Sequence, residues 1–398
     1  MRTGIIFCII VSLFFPARSI AAGLELSSFD LPGTGASRMI VNPVDGSILT
    51  FFHQTHTVAS INGSDGSTIF NVPIDLSPTA AAFSPDGKVF FLIGEPSNDQ
   101  TIDIGIIQAF DSSSGKKMCE FQVEGACNAV YAAENGILYV ASGMQYAYQG
   151  KVYEIEWQLS KDGGSLTMEL LKDADCGKIP WAIIKNSDRL YVTDLELQWT
   201  AQADGTMGPP YGGLVWVYDA DTLENISKEW VGINPDRMVN IGGGVLVGCS
   251  GSKQTLDGDI EPAFSFIKPE NETVPLPIGT TGATDLAVIP DGSFAVAVLA
   301  DWGPAPPDTA MGMIHMLNPE KYPEPRKWIY TGDICVVSAT DDEIKTRRVT
   351  VSEDNYFRSI AISPDGETIY LLDGEADRVW VLPFSEIEQP EEMPEPVE

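Results

Sequence analysis

The sequence predicts an all-β protein: a single seven-bladed β-propeller with an N-terminal strand closing the last blade. Three observations lead there. A short apolar strand, a Pro-Asp-Gly turn and a second apolar strand recur as AAFSPDGKVFF (Ala81–Phe91), LAVIPDGSFAV (Leu286–Val296) and IAISPDGETIY (Ile360–Tyr370). Degenerate copies at Met39–Leu49, Ala129–Val140, Ala182–Val192 and Met238–Val247 bring the set to seven. Each copy is followed by further strand patterns, the units are spaced by roughly 40–60 residues, and no stretch carries the periodicity of a long amphipathic helix.

The elements follow in chain order. Met1–Ala22 reads as a secretory leader: Arg2 opens it, Ile5–Phe15 is its apolar core, and Ser19–Ala22 offers small residues for cleavage. The apolar run is too short for a comfortable membrane span, and Cys8 lacks a lipobox. Leu24–Leu31 (LELSSFDL) resembles the outer strand and exit of the first unit, STIFNVPIDL, while the last unit supplies only three strands before Pro383. The N-terminal strand is therefore expected to complete the last blade and remove its free edge. Within the units, Pro presets φ at the tight turn and Gly accepts positive φ. Third strands are read at Ile106–Asp111, Leu214–Asp219 and Val379–Leu382, and fourth strands at Ser67–Val72 and Lys117–Val123. The domain is expected to span residues 23–385, and 386–398, acidic and Pro-rich, to be a disordered tail.

The SPDG and IPDG turns, followed by a strand of the form V-x-V-aromatic-Asp, resemble the YVTN/YncE-like bacterial propellers within the lactonase-like superfamily. The resemblance implies the propeller fold over nearly the whole chain. It leaves function open, because such rings serve as binders, lyases, lactonases and oxidoreductase subunits.

Composition narrows the choice. The chain has 398 residues, with 24 Lys+Arg against 56 Asp+Glu, a formal charge of −32. Nucleic acid is not an expected partner, since binding its phosphates needs clustered cations. Membrane insertion is not expected either, because the sequence has no second long apolar segment. With the leader, the balance fits a soluble periplasmic or extracellular protein.

Extra chain collects on one face. The turns joining first to second and third to fourth strands are short. The second-to-third loops are long: Gly94–Asp103, Gly143–Gly150, Asp194–Gly213, Cys249–Glu261 and Ala300–Gly312. A further insertion is read at Asp333–Asp354, with a hairpin near Asp341 and Asp342. The long-loop face is the expected binding face. It carries Tyr146, Tyr148, Trp199, Tyr211 and Trp302, aromatics suited to a ring or a protein partner, or simply to packing the loops together. Trp216, Trp230, Trp328 and Trp380 fall in strands and read as core between blades.

Aligning the copies on their turns places Arg38, Thr79, Asn128, Pro180, Arg237, Thr284 and Arg358 at one position, beside the central channel. Trp181 and Asp285 follow at the next. Three guanidinium groups there either form an anion site or pair with acids such as Asp236, Asp285 or Asp354.

Other chemistry is sparse. His53 and His56 flank one turn but make an incomplete metal set, and Asp257, Asp259 and Glu261 lack the spacing of a full calcium loop. No metal is assigned. Neither a nucleotide-binding glycine fingerprint, a P-loop, a CxxCH nor a nucleophile elbow is present, so no cofactor is expected. Export permits disulfides. Cys127 with Cys176 is the favoured pair, Cys249 with Cys335 the weaker one, and Cys119 the odd thiol. The leading function is an exported binding or scaffold protein that recognises a partner protein or small anionic ligand. The alternative is a propeller enzyme, lactonase- or lyase-like, or a subunit of a periplasmic oxidoreductase.

Overall fold

Ser84 and Ser363 explain how the Pro-Asp-Gly turn closes. The Ser84 hydroxyl donates to Asp86 Oδ1 at 2.7 Å and accepts the Val89 amide at 3.0 Å, while the Gly87 amide bonds the Ser84 carbonyl at 2.8 Å. Ser363 repeats the pattern with Asp365 and with the Thr368 amide, the latter at 2.9 Å. Gly87, Gly292 and Gly366 have φ of 69°, 74° and 77°, left-handed values that glycine adopts without strain.

The computed structural model describes residues 19–20, 24, 26–97, 104–143, 149–195, 213–250, 263–276, 281–304, 326–340, 343–352 and 355–388. They form seven antiparallel sheets arranged as a ring, a seven-bladed β-propeller. From blade one to blade seven the innermost strands are Ala36–Val41, Leu76–Phe83, Ala126–Ala132, Pro180–Asn186, Pro235–Ile241, Thr281–Val288 and Phe357–Ile362. Among the described residues the core divides into seven buried apolar clusters, one for each interface between neighbouring blades. Phe90, stacked on Phe110 at 4.8 Å, fills the interface of blades one and two. Phe357 and Ile387 fill that of blades six and seven.

Ser27–Asp30 pairs antiparallel with Arg378–Pro383, register Ser27 to Val381 and Asp30 to Arg378, and closes blade seven from the N-terminal side as expected. A further short strand, Ser19–Ile20, lies parallel to the outer strand of blade six.

Two sequence readings are corrected here. Asp333–Asp354 is not an insertion between blades. Arg326–Ala339 and Ile344–Thr350 are the third and fourth strands of blade six, and 333–354 covers their hairpin. Its core contact is the Asp333–Arg348 pair, in which Arg348 Nε donates to Oδ2 at 2.8 Å. Trp230, expected in the core, lies on the outer strand of blade four and is 55% exposed. Trp216 and Trp380, read as core between blades, are half-buried and pack against the clusters of blades three and four and of blades six and seven.

Candidate ligand-binding site at the channel mouth

Every innermost strand carries a register shift at its start. The ladder skips from Ala36 to Arg38, Pro78 to Ala80, Cys127 to Ala129, Pro180 to Ile183, Pro235 to Arg237, Ala283 to Asp285 and Phe357 to Ser359. A bulge of this kind puts two residues of one strand opposite one of its partner and re-aims a side chain. In a regular strand consecutive side chains face opposite sides. At the bulges they share a side, so Ser37 with Arg38, Asp236 with Arg237, Thr284 with Asp285 and Arg358 with Ser359 all line one cavity. Trp181 and Ser250 complete its wall.

The cavity holds about 290 Å³ and opens where second strands end and third strands begin, the face of the long connections. Residues 98–103, 144–148, 196–212, 251–262 and 305–325, which make up most of those connections, lie outside the described residues. So do Trp199, Asp257, Asp259, Glu261, Tyr146, Tyr148, Tyr211, His315 and Asp354. Trp302 is in a blade-six strand, paired in register with Trp328.

The three arginines therefore meet in one cavity, but not at one register position. Arg358 occupies the bulge itself, with Ser37, Thr79, Asn128, Trp181, Asp236 and Thr284 as its counterparts. Arg38 and Arg237 sit one residue later, level with Asp285 and Ser359. Asn128 has the bulge position of blade three but does not line the cavity, which faces blades one, four, five, six and seven.

Their bonding sets the arginines apart. Arg237 Nε donates to Asp285 Oδ1 at 3.1 Å, and its Nη1 donates to the Asp236 carbonyl. Arg358 Nη1 donates to the Ala36 carbonyl at 3.3 Å, across the blade seven–one boundary. Among the described residues no carboxylate stands within ion-pair distance of Arg38.

Asp285, expected to bind ligand, is spent on the scaffold. It is 6% exposed and accepts four bonds. Oδ1 takes Arg237 Nε and the Leu286 amide, each at 3.1 Å, and Oδ2 takes the Ser359 hydroxyl at 2.5 Å and the Ile360 amide at 3.1 Å. One carboxylate thus ties blades five, six and seven at the channel.

Asp236 contrasts with it. Burial raises its carboxyl to about 7; a Ser250 hydrogen bond opposes that shift and the nearby Asp285 charge adds to it. Burial also lowers Arg237, against the pull of Asp285. The sequence reading had Asp236 only as a possible partner for an arginine, and Ser37, Ser250 and Ser359 carried no signal beyond neighbouring the bulge.

His53 and His56 flank the blade-one turn, with His56 at φ 49°. Burial chiefly lowers the His53 ring, and the positive charges of Arg358 and His56 add to this. These neighbours disfavour a cation there. Among the described residues no group of three or more His, Cys, Asp or Glu could hold a metal ion.

The expected disulfides are not formed: Cys119, Cys127, Cys176, Cys249 and Cys335 are reduced thiols. Cys127 lies on the inner strand and Cys176 on the outer strand of the same blade, at nearly the same level. Three strand spacings of about 4.8 Å hold them about 14 Å apart, beyond the roughly 4.4–6.8 Å that a bridge spans. They also pack into opposite interfaces, Cys127 toward blade two and Cys176 toward blade four. Cys249 and Cys335 are divided likewise, between the blade four–five and five–six interfaces. Four of the thiols are buried and Cys119 is half-buried. A thiol reagent on the native protein is expected to modify Cys119 alone of these five, with the others reacting on unfolding. Mass spectrometry of labelled peptides reads this, and two or more native labels would contradict the packing.

No protein-family model and no curated protein matches the sequence. Solved structures do match. A chain of Kuenenia stuttgartiensis hydrazine synthase is 13% identical with a TM-score of 0.58, covering 90% of this chain and 97% of that one. The WD40 repeats of RRP9 give 10% and 0.59, with 90% and 97% covered. The Myceliophteria thermophila Cps50 (Swd1) propeller domain gives 10% and 0.55, with 90% and 99% covered. At these identities the likeness is one of architecture, and what this chain shares with them is the β-propeller fold.

Proposed function

We propose that the protein is an exported binding propeller that captures a small oxyanion, a carboxylate or phosphate, at the mouth of its channel. The observation that carries this reading is the convergence of Arg38, Arg237 and Arg358 on one cavity in a chain of formal charge −32. In such a chain the long-range field repels anions, so capture relies on short charge-assisted bonds. Arg38 is the group best placed to make them, Arg358 supports it from the neighbouring blade, and the Arg237–Asp285 pair forms a fixed wall. The Ser37 hydroxyl, without a hydrogen-bond partner among the described residues, supplies a further donor, and Trp181 a flat apolar side. The cavity is at the small end of ligand sites. Export rests on the leader, and the N-terminal sequence of the secreted protein tests it.

Calorimetry with a panel of small carboxylates and phosphates at low salt tests the anion reading. Arg38→Ala is expected to weaken the best ligand about tenfold or more, the loss of one bond to a charged group, with the melting temperature unchanged. Absence of millimolar binding across the panel, or equal affinity in the variant, overturns it.

A further inference from the structure

Asp236 stands in the arginine-lined cavity, and among the described residues no cation is paired with its carboxyl. Arg237, its neighbour in sequence, turns its guanidinium to Asp285 and to the Asp236 main-chain carbonyl instead of the carboxyl. Ser250, just past the second strand of blade five, Gly244–Cys249, bonds the carboxyl. From blade four the lining group is the neutral Trp181; from blade six it is Asp285; Arg38 and Arg358 belong to blades one and seven. The wall thus carries three guanidinium groups and two carboxyls. With both carboxyls ionised, one positive charge is left over. With Asp236 protonated, two are left, and the cavity wall gains a hydroxyl donor at Asp236.

We propose that Asp236 is the specificity-determining group of this cavity: it meets the ligand as a protonated donor, so that the site takes up one small oxyanion together with one proton. This rests on the reading of the cavity as an anion site. It narrows the ligand to an anion that presents an oxygen acceptor to Asp236 while Arg38 and Arg358 hold its charge. A cation is disfavoured at that point, since with Asp236 protonated the wall keeps two uncompensated guanidinium charges. Burial already holds the carboxyl near neutrality, and an anion beside it raises its proton affinity further, because like charge disfavours ionisation. Proton and anion then help each other bind by the same factor.

The direction with pH follows. Below neutrality Asp236 holds its proton in the free protein, and anion binding takes up none. Above neutrality the proton must come from solvent, so affinity falls about tenfold for each further pH unit until another step limits it. The same group acts on folding. Its folded value lies above its unfolded value of 3.8, so the stability it contributes is fully present below the unfolded value. That contribution is lost as pH rises through the folded one.

The test uses sulfate and oxalate, neither of which titrates between about pH 5.5 and 8.5. Titration calorimetry in two buffers of different ionisation enthalpy is expected to give about one proton taken up per anion at about pH 8 and almost none at about pH 5.5. Asp236→Asn, a neutral isostere that still donates, is expected to bind with an affinity flat in pH and with no proton uptake. Binding by the natural protein that is flat in pH and proton-free overturns the proposal and leaves the anion reading standing. No binding of either anion at any pH removes both. Should the variant fail to fold, the two-buffer measurement on the natural protein decides by itself. Thermal unfolding without ligand gives a second reading: stability of the natural protein should decline between about pH 4 and 7 relative to Asp236→Asn, and parallel profiles count against a proton on Asp236.

Discussion

Asp285→Ala is expected to destabilise the ring by about 3–5 kcal/mol, the cost of removing one member of a buried ionic network. The reason lies in what the carboxylate leaves behind. Arg237 keeps a buried guanidinium with its ion-pair partner gone, and the Ile360 amide and Ser359 hydroxyl lose an acceptor that served both at once. These groups sit on the inner strands of three blades, so the loss falls where blades five, six and seven are held together. Asp285→Asn keeps the shape and one acceptor but not the charge, and should fall between alanine and the natural protein. Urea unfolding of the three proteins reads the order. A variant Asp285→Ala as stable as the natural protein would show that the apolar interfaces alone set the ring. The same logic separates the arginines. Arg237→Ala should lower stability by stranding Asp285, whereas Arg38→Ala should touch ligand binding alone.

How much of this was legible in the sequence depends on range. The Pro-Asp-Gly turns are local: proline, glycine and a serine hydroxyl within five residues decide them, and they punctuate the chain at the spacing of the blades. The closing strand was legible because an incomplete last unit and an unpaired first strand call for each other. Register at the channel was not. Blade one reaches its turn through Asn42-Pro43-Val44-Asp45-Gly46, one residue longer than Ser84-Pro85-Asp86-Gly87. Counting back from the turn therefore landed on Arg38 where the bulge falls on Ser37. A one-residue slip moves side chains to the other face of a regular strand. Here the bulge places both residues in the cavity, so the arginines converge although their alignment was off. The disulfide pairing failed for a related reason. Cys127 and Cys176 flank consecutive inner strands in sequence, but the chain crosses the full width of a blade between them. The hairpin of blade six is hidden in the sequence because its third strand, Arg326–Ala339, starts well beyond Gly312, where the loop pattern ends.

Removing Leu24–Leu31 is expected to cost on the order of 5 kcal/mol and to open blade seven first. The strand Ser27–Asp30 makes four residue pairs with the edge of that blade, at about 0.5–1.5 kcal/mol for each backbone bond. Leu24, Leu26, Phe29 and Leu31 pack partly buried against the clusters on either side of it, adding about 1 kcal/mol each for half-buried side chains. Phe29 also lies directly against Gly66, where a built Cβ would come within 2.5 Å of its ring, so the strand braces the third-to-fourth turn of blade one as well. The Leu31 amide bonds the Asp377 carbonyl at 2.9 Å, the Ala36 amide bonds Asp377 Oδ1 at 2.8 Å, and Arg378 pairs with Asp30 at 2.8 Å. Without the strand, Arg378–Pro383 becomes an edge with unpaired amides, a template for association with other chains. A loss of this size is comparable to much of the stability of an ordinary domain. The expected results are a melting temperature lower by about 10 °C or more and early proteolytic cleavage within blade seven. Adding a peptide of the sequence LELSSFDL in excess should recover part of the loss, since the edge it docks on is intact. An unchanged melting temperature in the deletion would mean that the inner-strand contacts, with Asp285 at their centre, close the ring unaided.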